Sequence, residues 1–306
     1  MSITTTGQIP HLLRPGVNKV FTNYDTYPEQ WTEIFKVSPS NMAYELDVEY
    51  KGIGPADIVN EGAPIPVDSL QEAYTTQYRM RMIGIGFQLT KVAIDDNLYK
   101  NQFFDKAREL RNSLRTTKNQ LGANILNNAF STAFPIADGQ PLCSITHPIV
   151  AGGVYSNKLV GAGNVTVDFS EAAVEQMIIQ AQRLPGQNGI LAHKMPRKII
   201  AGPALQFANS RLLNSAFRTE VANNDISAIY HNDYIPSGYK INQYLTSPTA
   251  YFLLTDEDTA FRCFQREGVQ TDVYADMDTK SVKINAWERY AFGVNTARGV
   301  IGSEGV

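Results

Sequence analysis

One unbroken helical periodicity constrains this chain more than any other feature of its sequence. From Ala93 to about Phe130, the residues Leu98, Phe104, Ala107, Leu110, Leu114, Leu121, Ile125, Ala129 and Phe130 recur near helical spacing. Asp95 and Asp96 suit the positive N-terminal end of such a helix. At about 1.5 Å per residue it would span on the order of 50 Å, longer than a small domain is wide. The rest of the chain must be arranged along a spine.

Ahead of the spine, two strand-like runs, Met42 to Tyr50 and Tyr74 to Leu89, flank the segment KGIGPADIVNEGAPIPVDSLQEA, which is rich in Gly, Pro and Asp. A loop longer than about 15 residues inside a compact domain is usually functional or disordered, and a two-stranded ribbon is marginal alone in water. Something outside the ribbon should support it. Along the first run Glu45, Asp47 and Glu49 alternate with Leu46, Val48 and Tyr50, while the second carries Arg79 and Arg81 between Tyr78, Met80 and Met82. If the strands are antiparallel, these opposite charges face each other across the ladder. Pairing within the ribbon and pairing with a neighbouring molecule are both open at this point.

Residues 1–40 hold Phe21, Tyr24, Tyr27, Trp31 and Phe35, interrupted by Pro10, Pro15 and Pro28. This reads as an arm, with a short helix from Pro28 to Phe35 that sets Trp31 and Phe35 four residues apart. Its aromatics must be covered, either by their own domain or by a neighbouring subunit.

After the spine comes a Gly-rich stretch of strand and loop through Phe169. A helix follows, with Asp168 and Glu171 at capping-box spacing, an apolar face of Ala173, Val174, Met177, Ile178 and Ala181, and Pro185-Gly186 as its stop. Pro196 to Ala201 reads as a buried strand, and Pro203 opens a helix through about Ser215. Strands are expected at Tyr239 to Tyr244, at Ala250 to Leu254, and through most of Ala260 to Ile301. The class is α+β.

Composition narrows the function. The 306 residues are 43% hydrophobic and 19% charged, which argues against disorder, and their length suits roughly two domains. A net charge of −3 disfavours a protein that grips phosphates by charge alone. Two cysteines supply neither a disulfide framework nor an all-cysteine zinc site, as suits a reducing compartment. The N-terminus lacks the pattern of a signal or transit peptide, and the longest apolar stretches fall well short of the roughly 20 residues that cross a bilayer.

Chemical motifs are weak. Cys143 in PLCSITHP has His147 four residues later, but Cys–His enzymes usually bring the two from distant parts of the chain, and no third orienting group is specified. No second Cys/His pair completes a metal tetrahedron, and His11, His193 and His231 are isolated. GAGNVT from Gly161 and GIGF from Gly84 lack the glycine spacing of a phosphate loop. Asp256, Glu257 and Asp258 lack the ligand spacing of a calcium loop. No catalytic, metal or cofactor site is expected.

The order of parts is more telling: arm, ribbon, spine, α+β unit, terminal strands. Together with KVAIDDNLYKNQFF entering the spine, PLCSITHP after it and the ending AWERYAFGVNTARGVIG, it resembles the major capsid proteins of tailed bacteriophages with the HK97-type fold. That resemblance implies an N-arm at 1–40, an E-loop and its roots at 41–91, and a P-domain spine helix with following strands at 92–164. It further implies an A-domain at 165–258 and the P-domain sheet and C-terminus at 259–306. The implied function is a shell subunit forming hexamers and pentamers of an icosahedral head around double-stranded DNA, located in the virion and assembled in the bacterial host cytoplasm. The implied partners are other copies of itself, a portal protein, a decoration protein where one is used, and DNA held without sequence-specific contact. Because the arm begins almost at Met1, a separate scaffolding protein is expected. No covalent cross-linking site is identifiable. An encapsulin-like compartment, which shares the fold, is the alternative. The residues expected at the assembly interface are Trp31, Phe35, Glu45, Asp47, Glu49, Arg79 and Arg81.

Overall fold

The computed structural model describes residues 28–90, 99–217, 225–276 and 281–306. Phe21, Tyr24 and Tyr27 of the arm, and Asp95, Asp96 and Leu98 at the expected start of the spine, lie outside them. In chain order, strands β1 (Lys36–Pro39), β2 (Tyr44–Tyr50), β3 (Glu72–Arg79) and β4 (Arg81–Thr90) precede helix α1 (Tyr99–Asn127). Strands β5 (His147–Pro148) and β6 (Val154–Tyr155), helix α2 (Glu171–Gln182), strand β7 (Pro196–Ala201) and helices α3 (Gln206–Asn214) and α4 (Ala228–His231) follow. Strands β8 (Tyr239–Ile241), β9 (Tyr251–Thr255), β10 (Phe261–Asp276), β11 (Ser281–Val294) and β12 (Val300–Ser303) complete the order.

The 29 residues of α1 form the spine, about 43 Å long at about 1.5 Å per residue. Beneath it lies a four-stranded sheet in the order β1-β10-β11-β4. Along β11 the side chains alternate as a strand requires, so Val282, Ile284 and Ala286 pack with Leu110 and Leu114 of the helix. A second four-stranded sheet, β12-β9-β7-β8, carries α2 and α3. The apolar face expected for α2 is buried there, with Met177 and Val174 against Ile199, Tyr251 and Leu253.

Several boundaries differ from the sequence reading. Ser170, not Asp168, caps α2 by accepting from Ala173 N at 3.2 Å, while the Asp168 carboxylate accepts from Val306 N at 3.1 Å. The chain end, expected in the same sheet as β10 and β11, instead places β12 against β9. Residues 36–39, expected in the arm, pair in parallel with β10. Short polar-flanked strands carry no local mark of the sheet they join, so only long-range pairing settles these points.

The expected arm helix is a single 3₁₀ turn, Gln30–Glu33, and both of its expected interface aromatics are core residues of their own subunit. Trp31 is 3% exposed, and its ring meets Phe292 edge-on at 5.5 Å between centroids. Phe35 packs on Phe261 at 5.6 Å and Phe292 at 4.8 Å. Backbone and helix approach closely here: a Cβ on Gly122 would lie 2.9 Å from Trp31 Cβ, so α1 needs a glycine at this point. Asn119 ties the turn down, accepting from Trp31 N at 3.2 Å and donating to Pro28 O at 3.1 Å. Beside it the buried Lys118 ammonium lies 3.0 Å from Glu288 and within 4.7 Å of the Trp31 and Tyr290 rings. Burial pushes the Glu288 carboxyl up from its ordinary range despite this cation. Trp31→Ala therefore costs the unassembled chain about 3–5 kcal/mol, as for other buried Trp truncations, and the loss appears as a lower urea midpoint.

Candidate assembly interface

Strands β2 and β3 pair antiparallel with Glu45 opposite Tyr78, Leu46 opposite Gln77 and Asp47 opposite Thr76, forming the expected ribbon. Residues directly opposite share a face, so one face holds Glu45, Asp47, Glu49, Thr76 and Tyr78, and the other Tyr44, Leu46, Tyr50, Gln77 and Arg79. The acidic face is the one turned toward the body of the molecule.

Each carboxylate has a partner there. Asp47 lies 3.2 Å from Arg262 of β10. Glu49 lies 2.7 Å from the buried guanidinium of Arg298 and accepts from Gln187 Nε2 at 3.0 Å and Thr296 Oγ1 at 3.3 Å. Glu45 accepts from Ser40 Oγ at 2.5 Å. Tyr78 is buried against Phe264, and it reaches that position only because residue 293 is Gly: a Cβ there would stand 2.5 Å from the Tyr78 ring. Asn188 adds a clamp nearer the tip, donating to Ile53 O at 2.8 Å.

The expected charge pairs across the ribbon do not form. Arg79 stands opposite Tyr44 on the outer face, one step out of phase with the acids, and its Nε donates to Gln77 at 3.2 Å. Arg81 is not on the ribbon at all. The run from Tyr74 to Leu89 breaks at Met80, and Arg81 begins β4, opposite Tyr290 of β11. Side chains alternate strictly along a strand, so this register excludes Arg79 from the acidic face. The true partners, Arg262 and Arg298, are more than 200 positions from the acids they meet, and no local pattern marks them.

With its acids turned inward, the ribbon shows water its apolar side. Tyr44, Leu46 and Tyr50 are 51, 55 and 61% exposed, and the tip adds Ile58, Ile65, Val67 and Leu70 at 73% or more. At the ribbon's foot a groove of about 790 Å³ runs between β3, α1 and β11, lined by Ile83, Leu121, Ile125 and Phe134 with Arg79 and Arg81 on it.

The other sequence candidates resolve into structural roles. The Cys143 thiol is buried, and burial pushes it far up from its ordinary range. His147 does not serve it, since its ring nitrogens face Asp138 and Asn157. The acidic cluster is neutralised: Glu257 pairs with Lys194 at 2.5 Å, Asp258 with Arg197 at 2.9 Å, and Asp256 accepts from Met195 N at 3.1 Å. Gly84 and Gly86 lie in β4 under Trp287 and Asn285, where a Cβ on either would collide. Among the described residues no cluster of three or more His, Cys, Asp or Glu could hold a metal, and no helix is long and apolar enough to cross a membrane.

A spine helix over a sheet, a second α+β unit and a long ribbon with an apolar outer face together form a subunit with unfinished surface. The family model for phage capsid protein matches residues 73–303. The chain belongs to the phage capsid protein family. No curated protein matches this capsid protein in sequence. Its structure is similar to that from the procapsid of bacteriophage JBD30, with a TM-score of 0.53 at 13% identity, covering 98% of this chain and 76% of that one. It is also similar to the virus-like particle from Pyrococcus furiosus, with a TM-score of 0.52 at 10% identity over 95% of this chain and 98% of that one. The SrpI encapsulin from Synechococcus elongatus matches at a TM-score of 0.51 and 9% identity, over 92% of this chain and 89% of that one. Such likenesses establish the fold, which is HK97-type. The capsid protein is a major subunit of an oligomeric shell, and its place is the virion capsid.

The burial of the ribbon acids has a pH signature. Burial, the largest influence, holds Glu49 above its ordinary range despite Arg298, and holds Asp47 up despite Arg262. The docked ribbon thus binds these protons before the free ribbon does. Their contribution to docking is full below the ordinary carboxyl values and is lost as pH rises through the raised ones. Ribbon amides should therefore be better protected from hydrogen exchange at pH 5 than at pH 7, and Glu49→Gln, which mimics the protonated acid, should remove part of that difference.

Proposed function

We propose that this capsid protein closes an icosahedral shell of hexamers and pentamers around double-stranded DNA, with the outer face and tip of the ribbon buried against neighbouring subunits. The observation that carries this reading is the inverted polarity of the ribbon: its acids are satisfied within the subunit, while Tyr44, Leu46 and Tyr50 are left to water. A two-stranded ribbon is marginal by itself, and contiguous exposed apolar area marks a contact surface. Each Å² covered on assembly contributes about 25 cal/mol of driving force. Arg79, on the outer face, and Arg81, beside the groove, then select neighbour and register by charge, which serves specificity more than affinity.

Other partners complete the proposal: a separate scaffolding protein, a portal protein, a decoration protein where one is used, and DNA enclosed without sequence-specific contact. The net charge of −3 fits a wall that contains DNA without gripping it. Assembly takes place in the bacterial host cytoplasm, and the role is structural rather than catalytic. What favours a viral head over an encapsulin-like compartment is the phage capsid family model. A compartment shell would close from the pure chain without scaffold and recruit a cargo peptide.

Negative-stain electron microscopy with light-scattering mass, on the purified chain with and without scaffolding protein, tests the reading; closed shells or capsomers of five or six support it. Leu46→Asp, and separately Arg79→Glu with Arg81→Glu, should leave circular dichroism near wild type and suppress shells. Normal shells from both would refute the ribbon's role. Cys143→Ala should assemble unchanged.

A further inference from the structure

The chain holds a single Asn–Gly step, Asn188-Gly189, and it lies where the body of the molecule grips the ribbon. Gly189 N donates to Gly186 O at 3.1 Å and closes a turn whose central residues are Gln187 and Asn188. Both aim an amide at the ribbon: Gln187 Nε2 donates to Glu49 at 3.0 Å, and Asn188 Nδ2 donates to Ile53 O at 2.8 Å. On its other side Asn188 Oδ1 accepts from Ile190 N at 3.1 Å. Reversing that amide would set oxygen against oxygen and N–H against N–H, so its orientation is fixed. Arg298, which holds Glu49 at 2.7 Å, also donates to Pro185 O at 2.5 Å, so a third group binds turn and ribbon together.

An Asn followed by Gly is the dipeptide most open to attack on itself, because no Cβ on the second residue shields its backbone nitrogen or hinders the rotation that brings it round. The Gly189 nitrogen forms a bond to Asn188 Cγ and gives its proton to water, and the Cγ–Nδ2 bond breaks with loss of ammonia. Water then opens the cyclic imide at either carbonyl. One opening leaves aspartate, and the other leaves isoaspartate, with the main chain rerouted through the side chain. The co-reactant throughout is water, and nothing is oxidised or reduced. While the ribbon is docked, every reacting atom is restrained: Gly189 N is turned to Gly186 O, and Cγ is held through both its oxygen and its nitrogen.

We propose that Asn188 is a self-modification site guarded by the docked ribbon: when the ribbon lifts, Asn188 is freed to cyclise, and the product keeps the ribbon from seating again. Lifting removes the bonds to Ile53 and Glu49 together, and with them the hold on the turn. The product cannot restore the clamp. A carboxylate only accepts, so aspartate at 188 sets an anionic oxygen against Ile53 O where a donor stood. Isoaspartate adds a main-chain carbon to the turn and carries Gln187 away from Glu49. An otherwise reversible lifting thus becomes one-way. The device rests on the ribbon's attachment to its own subunit and not on the neighbours that cover its outer face.

The test follows the purified full-length chain in mildly alkaline buffer. Peptide mass spectrometry with enzymatic isoaspartate labelling reads the products at 188, hydrogen exchange of residues 44–54 reads the ribbon in the same samples, and urea-unfolded chain gives the unguarded rate. If only the lifted form reacts, the rate follows its population. Wild type should therefore react far more slowly than unfolded chain. Glu49→Ala, which breaks the pair with Arg298, should speed modification at 188 by about tenfold or more. Asp47→Asn, which weakens the neighbouring pair with Arg262, replaces it if Glu49→Ala fails to fold. Asn188→Asp should lower exchange protection of residues 51–54 by about tenfold and leave β7 and β9 as in wild type. Asn188→Gln, whose longer side chain closes a ring poorly, should give no product at 188. Equal rates in wild type and in a variant whose ribbon exchanges freely would overturn the guard, as would a wild-type rate equal to that of unfolded chain. Wild-type protection of residues 51–54 in Asn188→Asp would overturn the one-way step.

Discussion

The inward attachment of three ribbon acids governs the rest of this structure. A two-stranded ribbon has two faces, and whichever one docks on the body leaves the other to water. Here Arg262 and Arg298 draw the acidic face in, at 3.2 and 2.7 Å from Asp47 and Glu49, so the apolar face is the one presented outward. A soluble monomer would normally do the reverse. The arrangement makes sense for a subunit whose burial is completed by other subunits, and it places the ion pairs where they set the ribbon's orientation rather than add stability, since buried pairs recover little beyond their desolvation cost.

The base to which the ribbon is fixed is rigid for ordinary reasons. The spine helix lies along one sheet through Leu110, Leu114, Ile284 and Ala286, and the 3₁₀ turn of residues 30–33 wedges Trp31 beneath the helix. Glu33, on the same turn, reaches Lys198 and Lys240 at 2.9 and 3.1 Å, and these bonds pull its carboxyl below the ordinary range although burial opposes them. One short segment therefore touches the spine, the first sheet and the second sheet.

Much of this was legible in order and pattern. The spine, the apolar face of α2, the strand at Pro196–Ala201 and the long terminal strands follow from periodicities of 3.6 and 2 that any solvent-facing element must show. The two-stranded excursion was legible from alternating charge and the Gly- and Pro-rich segment within it. Trp31 and Phe35 were legible as aromatics needing cover, but their cover is Phe292 and Phe261, far along the chain, rather than another subunit. Arg79 and Arg81 were legible as charges near acids, yet a register of one residue put Arg79 on the other face and a break at Met80 put Arg81 in another sheet. His147 was noticed for its nearness to Cys143, whereas its partners are Asp138 and Asn157, which no motif joins to it.

The sequence by itself determined which elements exist and in what order, because local periodicity and turn chemistry are written in neighbouring residues, and that order already resembled a capsid subunit. Only the tertiary structure decided which face of the ribbon is turned to water, which sheet receives the last strand, and which groups are buried together. The ribbon's orientation depends on ion pairs between residues more than 200 positions apart, and the placing of the last strand on pairings about 50 positions apart. A strand's register, shifted by one, reverses every side chain on it without changing a letter of the sequence.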